Sequence, residues 1–147
     1  MILAAFFVCA DRGGKMSAII YNGSVNLVGT IFQFSFTKNY NIAFSLPLSG
    51  LGLTILVSLL ILVIMAMAMD LVKKRDILAL PLLFVISGAA SNLYDRLIYG
   101  YVIDYLDLSY FTVFNLADVM ISTGLIVFLL LVLKQKKLAA ASSPENN

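Results

Sequence analysis

A long apolar run in the middle of the chain constrains the fold more than any other feature. Residues Leu51 to Val72 are almost all aliphatic or Met, and the run stops at Lys73, Lys74 and Arg75. About 20 helical residues cross the roughly 30 Å hydrocarbon core of a bilayer. The run therefore predicts a membrane-spanning helix. A mean hydropathy of +0.99 over the 147 residues predicts that most of the chain lies in the membrane.

Three further apolar segments complete a mainly α fold of four predicted spans, at about 1–20, 51–72, 77–98 and 111–133. The first span is interrupted by Asp11, Arg12 and Lys15. It has only ten residues before Asp11 and no basic start, so either the native start lies upstream or this helix enters the membrane shallowly. Asp11 and Lys15 are four residues apart and therefore share a helix face, where they can neutralise one another. We expect a single membrane domain over 1–137 and a disordered tail over 138–147.

The basic residues predict the orientation. Six of the ten Lys and Arg lie between spans two and three or just after span four. The positive-inside rule places these segments, and both termini, in the cytoplasm. Asp104 then lies on the external side, and Asp118 is expected about two turns into span four from that surface.

The segment between spans one and two contains a strand pattern. In "TIFQFSFT" apolar residues alternate with polar ones, which is the period of a strand with one apolar face: Phe32, Phe34 and Phe36 against Gln33, Ser35 and Thr37. We expect a small external β-element here. Two interpretations stay open, a hairpin that only covers the bundle and one that guides a substrate.

The composition excludes several function classes. The chain has no His and a single Cys, Cys9, so it cannot build a His-ligated zinc site, a Ser-His or Cys-His nucleophile, or an internal disulfide. No metal or other cofactor is expected. A net charge of +2 with no basic polar face gives no support for nucleic-acid binding.

Spans three and four carry polar residues at helical spacing. Asn92, Asp95 and Arg96 fall on one face together with Gly88, and span four offers the similar set Asn115, Asp118 and Ser122. Helix packing could explain Asn92 and Ser122, since such residues often hydrogen-bond between spans. It does not explain Asp118, because an unpaired carboxylate just inside hydrocarbon costs several kcal/mol.

Two neighbouring carboxylates suggest a reaction. Like charges a few ångströms apart do not both ionise easily, so one keeps a proton while the other can deprotonate a water. Asp104 and Asp118 are the candidate pair, with Asp107 as the alternative partner in the loop. Arg96 is expected to hold a carboxylate or backbone carbonyls rather than to transfer a proton.

These residues resemble a known family. "NLYDRLIYGYVIDYLDL" followed by "FTVFNLADVMISTG" is similar to the paired signature of lipoprotein signal peptidase, or signal peptidase II, a four-span aspartic peptidase of the bacterial inner membrane. Asp11, Lys15 and "NYNIAF" also match, so the resemblance runs from Asp11 to Gly124. Two positions depart from the pattern, since Asn41 and Ser91 stand where the family usually has Gly.

The resemblance implies a function and roles for individual residues. Asp104 and Asp118 would be the catalytic pair, and the site-supporting residues would be Asn92, Asp95, Arg96, Asn115, Asp11 and Lys15. Asn39, Ala43 and Phe44 would shape the substrate cradle. The reaction would be removal of the signal peptide from diacylglyceryl-modified prolipoproteins, on the amino side of the lipidated cysteine. Membrane lipids and globomycin-type inhibitors are the other expected partners of a monomeric enzyme.

Two other functions compete with this interpretation. One is a catalytically silent relative that binds lipidated peptides, against which the intact aspartate pair argues. The other is an unrelated small membrane protein that relays protons. That function predicts charges near the bilayer midplane in several spans, whereas the carboxylates of spans three and four cluster toward one face.

Overall fold

The fold is a four-helix bundle with a small sheet at one end. The computed structural model describes residues 2–40 and 50–142. The helices are α1 (Ile2–Tyr21), α2 (Gly50–Lys73), α3 (Ala79–Tyr99) and α4 (Leu116–Ser142), and the strands are β1 (Ser24–Val28), β2 (Phe32–Asn39), β3 (Val102–Leu108) and β4 (Thr112–Phe114). Helix α3 packs against each of the other three helices.

The strands form one antiparallel sheet in the order β1-β2-β3-β4. The alternating pattern predicted β2, and this strand is confirmed. Its long-range partner is β3, with Thr37 opposite Asp104 and Asn39 opposite Val102. The sheet thus joins the α1–α2 segment to the α3–α4 segment at one end of the bundle, whereas we expected a β-element only between the first two helices.

Two of the described helices, Gly50–Lys73 and Leu116–Ala141, are long and apolar enough to cross a membrane. Most large side chains along α2 are exposed, which is typical of a helix facing lipid. Helix α1 carries Asp11, Arg12 and Lys15 in its middle. Four spans therefore remain a prediction.

Two helix boundaries differ from the predicted ones. Helix α4 begins at Leu116 rather than at Phe111, because residues 112–114 pair with β3 as strand β4. The same helix continues to Ser142, so residues 138–142 are helical where we expected disorder. Helix α3 ends at Tyr99, and the following Gly100 has a left-handed φ of 79° that lets its N–H reach the carbonyl of Arg96.

The end of the bundle opposite the sheet is basic. Lys73 ends α2, and the Gln135 side chain of α4 donates a hydrogen bond to Asp76 in the α2–α3 turn at 3.3 Å. This contact brings the two basic segments identified in the sequence to the same end.

Candidate active site

Asn115 sets both the start of α4 and the position of Asp118. Its side-chain Oδ1 accepts a hydrogen bond from the Asp118 N–H at 2.9 Å, and its own N–H donates to Asp118 Oδ2 at 3.1 Å. This reciprocal pair is a capping box, which satisfies two backbone donors that a helix start leaves free. Asp118 consequently lies in the first turn of α4, and the expected depth of two turns was wrong.

Asp104 approaches from the sheet and meets the same asparagine. Asn115 Nδ2 donates to Asp104 Oδ1 at 2.7 Å, and Asn39 Nδ2 on the neighbouring strand donates to Oδ2 at 2.8 Å. The Asp104 side chain is 1% exposed. One asparagine therefore contacts the carboxylate of Asp104 through its side-chain amide and the carboxylate of Asp118 through its backbone N–H.

This environment favours the protonated form of Asp104. Burial, together with the negative charge of Asp118, raises the pKa of Asp104 to about 6. The amides of Asn39 and Asn115 act in the opposite direction, because they stabilise the carboxylate. The Asp104 carboxyl can therefore hold or release a proton near neutral pH.

Asn92 binds the other carboxylate oxygen of Asp118. Its Nδ2 donates to Asp118 Oδ1 at 2.8 Å, while its Oδ1 accepts from Lys15 Nζ at 2.8 Å. An ammonium group has three donors and no acceptor. The other two donors of Lys15 reach Asp11 at 3.0 Å and Asp95 at 2.8 Å, so the predicted Asp11–Lys15 pair is confirmed.

A charge-balanced cluster lies behind Asn92. Arg12 pairs with Asp95 at 2.5 Å and lies over the ring of Tyr94 at 4.7 Å from its centroid. Two cations, Lys15 and Arg12, thus face two carboxylates, Asp11 and Asp95. Both carboxylates and Lys15 are fully buried, and burial of ions is tolerated only with this kind of pairing.

The remaining donors of the first turn of α4 are also satisfied. Leu116 N–H donates to the hydroxyl of Tyr105 at 3.3 Å, and Ala117 N–H donates to Asp11 Oδ1 at 3.1 Å. The Tyr105 hydroxyl in turn donates to Asp11 at 3.3 Å, and burial raises the pKa of Tyr105, which keeps this proton in place. Asp11 of α1 therefore helps to fix the helix that carries Asp118.

A cavity of about 890 Å³ opens beside Asp118. Its polar end includes Asn39, Asn92, Arg96 and Asp118, and its apolar walls come from α2, α4 and the β3–β4 hairpin. Arg96 is half-buried and interacts electrostatically with Asp118, Asp104 and Asp95. A second cavity of about 430 Å³ lies near the start of α1 and is lined by apolar residues and Thr123, away from the carboxylates.

The structure brings most of the predicted site residues together. The carboxylates of Asp104 and Asp118 both bond to Asn115, and Asn92, Asp95, Asp11, Lys15 and Asn39 are in the connected network. Asp107 is an odd number of residues from Asp104 on β3 and so points to the other sheet face. Ala43 and Phe44, like Asn41, lie outside the described residues.

Three contributors were not assigned to the site from the sequence. Tyr105 and Arg12 are adjacent to residues that the pattern singled out, and this adjacency was the available signal. Ser91, noted only as a departure from Gly, donates to Asp11 Oδ2 at 2.6 Å and lies 3.4 Å from the Arg12 guanidinium. These contacts join residues 79 to 94 positions apart.

Two neighbouring carboxylates, one almost fully buried and one at a cavity wall, are suited to activating water for hydrolysis. The family model for signal peptidase II matches residues 3–134. The chain belongs to the signal peptidase II family. This peptidase is similar to a lipoprotein signal peptidase of Moorella thermoacetica, at 39% identity over 107 residues, 72% of this chain and 71% of the relative.

Two more distant matches cover more of the chain. The lipoprotein signal peptidase of Pseudoalteromonas translucida is 32% identical over 134 residues, 83% of this chain and 80% of its own. That of Caldicellulosiruptor bescii is 28% identical over 135 residues, 92% of this chain and 89% of its own. The resemblance inferred from the motifs is thus confirmed over nearly the whole signal peptidase II chain.

Solved structures confirm the fold. A bacterial membrane enzyme determined in meso at 2.3 Å superposes with a TM-score of 0.81 at 20% identity, covering 99% of this chain and 92% of the other. A second, determined at 1.9 Å, gives 0.75 at 22% identity with 90% and 91% coverage. The helices and sheet of this signal peptidase II therefore follow an established membrane-enzyme architecture.

Proposed function

We propose that this signal peptidase II removes signal peptides from diacylglyceryl-modified prolipoproteins with Asp104 and Asp118 as its catalytic pair. One observation carries the proposal: Asn115 hydrogen-bonds to both carboxylates and so holds them close together, and Asp118 lines the large cavity. Family membership supports the reaction, and lipoprotein signal peptidase is the name of the matched relatives.

The proposed chemistry uses one proton shared by the pair. A water between the carboxylates gives its proton to the ionised aspartate as its oxygen attacks the scissile carbonyl carbon. The protonated aspartate donates to the carbonyl oxygen, and a tetrahedral intermediate forms. Collapse of this intermediate breaks the C–N bond, and the amine leaves with a proton from the pair. No covalent enzyme intermediate is required.

The cavity suits a lipidated peptide. Its polar end at Asn39 and Arg96 can bind peptide carbonyls, while Leu56, Leu60 and Ile126 offer an apolar wall to acyl chains. Ala43 and Phe44 would extend the cradle on the resemblance to the family. Arg96 is assigned to binding and charge balance, because guanidinium groups stay protonated.

The proposal also specifies how the enzyme is oriented in the membrane. We place the enzyme in a bacterial inner membrane as a four-span monomer over 1–137, with both termini cytoplasmic, the pair on the external face and lipids around α2 and α4. The grouping of six Lys and Arg at the end opposite the sheet supports this orientation. Globomycin-type peptides are expected to occupy the cavity in competition with substrate.

A silent lipopeptide-binding relative is the remaining alternative, and retention of both aspartates argues against it. Reconstituted protein should release the signal peptide from a lipidated preprolipoprotein and not from its unlipidated form. Asp107→Asn is the matched control, because this carboxylate lies on the same strand and faces away from the site. Equal cleavage of both substrates, or loss of activity only in Asp107→Asn, would refute the proposal.

A further inference from the structure

The tips of the two β-hairpins meet and expose a continuous apolar surface. The Ser109 N–H donates to the carbonyl of Ile31 at 3.0 Å, and the Ser109 hydroxyl donates to the carbonyl of Thr30. Tyr110 is 90% exposed and Phe111 is 81% exposed. We call residues 27–31 and 108–111 the paired tips; the other strongly exposed apolar side chains on them are Leu27, Val28 and Ile31.

The paired tips lack the features of a water-facing surface. The sequence has no charged residue from 22 to 37 or from 108 to 117. An exposed apolar patch of this kind marks a surface that another phase or molecule covers. Tyr, with its apolar ring and polar hydroxyl, is enriched where membrane meets water.

The surface is also continuous with the lipid-facing part of the protein. Leu108 and Phe111 line the same cavity as Leu56 and Leu60 of α2 and Ile126 of α4. Both of these helices are apolar enough to cross a membrane. The β3–β4 tip therefore borders the side of the cavity that opens between membrane helices. This continuity favours lipid over a second protein as the partner.

We propose that the paired tips insert into the headgroup region of the bilayer and hold the mouth of the cavity at that level. A lipid-anchored substrate moving in the membrane plane would then meet the cavity without leaving the bilayer. Binding of the tips to lipid does not depend on the proposed reaction; only this guiding role rests on it.

The absence of Trp from the chain permits a direct test. Tyr110→Trp in the full-length protein, reconstituted in phosphatidylcholine and phosphatidylglycerol vesicles, provides a single indole reporter. We expect blue-shifted emission, strong quenching by lipids brominated near the headgroup end of the acyl chain, and weak quenching by aqueous acrylamide. Leu129→Trp, on the exposed face of α4, is the control that should be quenched best by deep bromines. Strong acrylamide quenching without bromolipid quenching, or protection that coincides with a cross-linked dimer, would overturn the proposal.

A kinetic comparison tests the guiding role. The double variant Ile31→Ser and Tyr110→Ser should raise KM for a vesicle-embedded lipidated substrate severalfold and leave kcat unchanged. Leu138→Ser, at a similarly exposed apolar position near the other end of α4, should leave both constants unchanged. An unchanged KM in the double variant would remove the guiding role. A wild-type protein that cleaves nothing would refute the proposed function, yet the quenching result would still decide whether the tips bind lipid.

Discussion

Asn115 and Asp118 cap each other at the start of α4, with hydrogen bonds of 2.9 and 3.1 Å in opposite directions. The proposed catalytic carboxylate is therefore part of the structure that starts its own helix. Asn115 also donates to Asp104 at 2.7 Å, so helix capping and site assembly depend on the same side chain.

Substitutions at Asn115 should separate these two roles. Asn115→Ala removes the cap and should cost about 1–2 kcal/mol of stability as well as activity. Asn115→Ser keeps an N-cap oxygen but lacks the amide that reaches Asp104, so its melting temperature should stay near wild type while kcat falls. Thermal melts and single-substrate kinetics measure this; equal kcat in Asn115→Ser and wild type would mean that the bond to Asp104 has no catalytic role.

The buried carboxyl of Asp104 should make stability pH-dependent. Because burial raises the pKa of Asp104 to about 6, above its ordinary 3.8, the folded protein binds a proton that the unfolded chain releases between these values. The contribution is fully present below about pH 4 and is lost as pH rises through 6, a change of about 3 kcal/mol. Relative to wild type, Asp104→Asn should gain stability from pH 4 to pH 7 in melts. Parallel pH curves for the two proteins would contradict this.

Lys15 should orient Asn92 as well as neutralise charge. Since an ammonium only donates, it directs Oδ1 of Asn92 toward itself and the NH₂ toward Asp118. The variant Lys15→Met with Asp95→Asn removes one charge of each sign. Compared with Asp95→Asn alone, this double variant should have a kcat lower by about tenfold or more, because an oriented charge-assisted hydrogen bond is lost. Equal kcat values would limit Lys15 to charge balance.

Close packing of α3 on α4 should make Gly88 intolerant of a side chain. A Cβ at this position would lie 2.5 Å from the Ala117 carbonyl oxygen, next to Asp118. Gly88→Ala should force the helices apart, lower stability by about 1–3 kcal/mol and reduce activity. Gly52→Ala is the control, since its Cβ meets no atom within 4 Å. Similar melting temperatures and rates for the two variants would contradict the packing argument.

Local patterns predicted several elements well. The apolar run identified α2 to within a residue at each end, and the alternation of Phe residues identified β2. The i,i+4 spacing predicted the Asp11–Lys15 ion pair, now seen at 3.0 Å. Each of these depends on residues that are close in sequence.

Features that depend on distant contacts could not be predicted in the same way. The sequence from 111 to 114 reads as the start of an apolar helix, and only pairing with β3 makes residues 112–114 a strand. Arg12, Ser91 and Tyr105 join the buried cluster through contacts across 79 to 94 residues. A single sequence does not show which distant residues come into contact. The family motifs did identify the site residues that these contacts surround.

The central claim is that Asp104 and Asp118 act as one catalytic unit, and turnover of three variants tests it most directly. Release of signal peptide from a reconstituted lipidated substrate should fall to background in Asp104→Asn and in Asp118→Asn. The double variant should be no slower than either single variant, because the effects of substitutions within one catalytic unit are not additive. Wild-type turnover in either single variant, in protein that folds normally, would contradict the account.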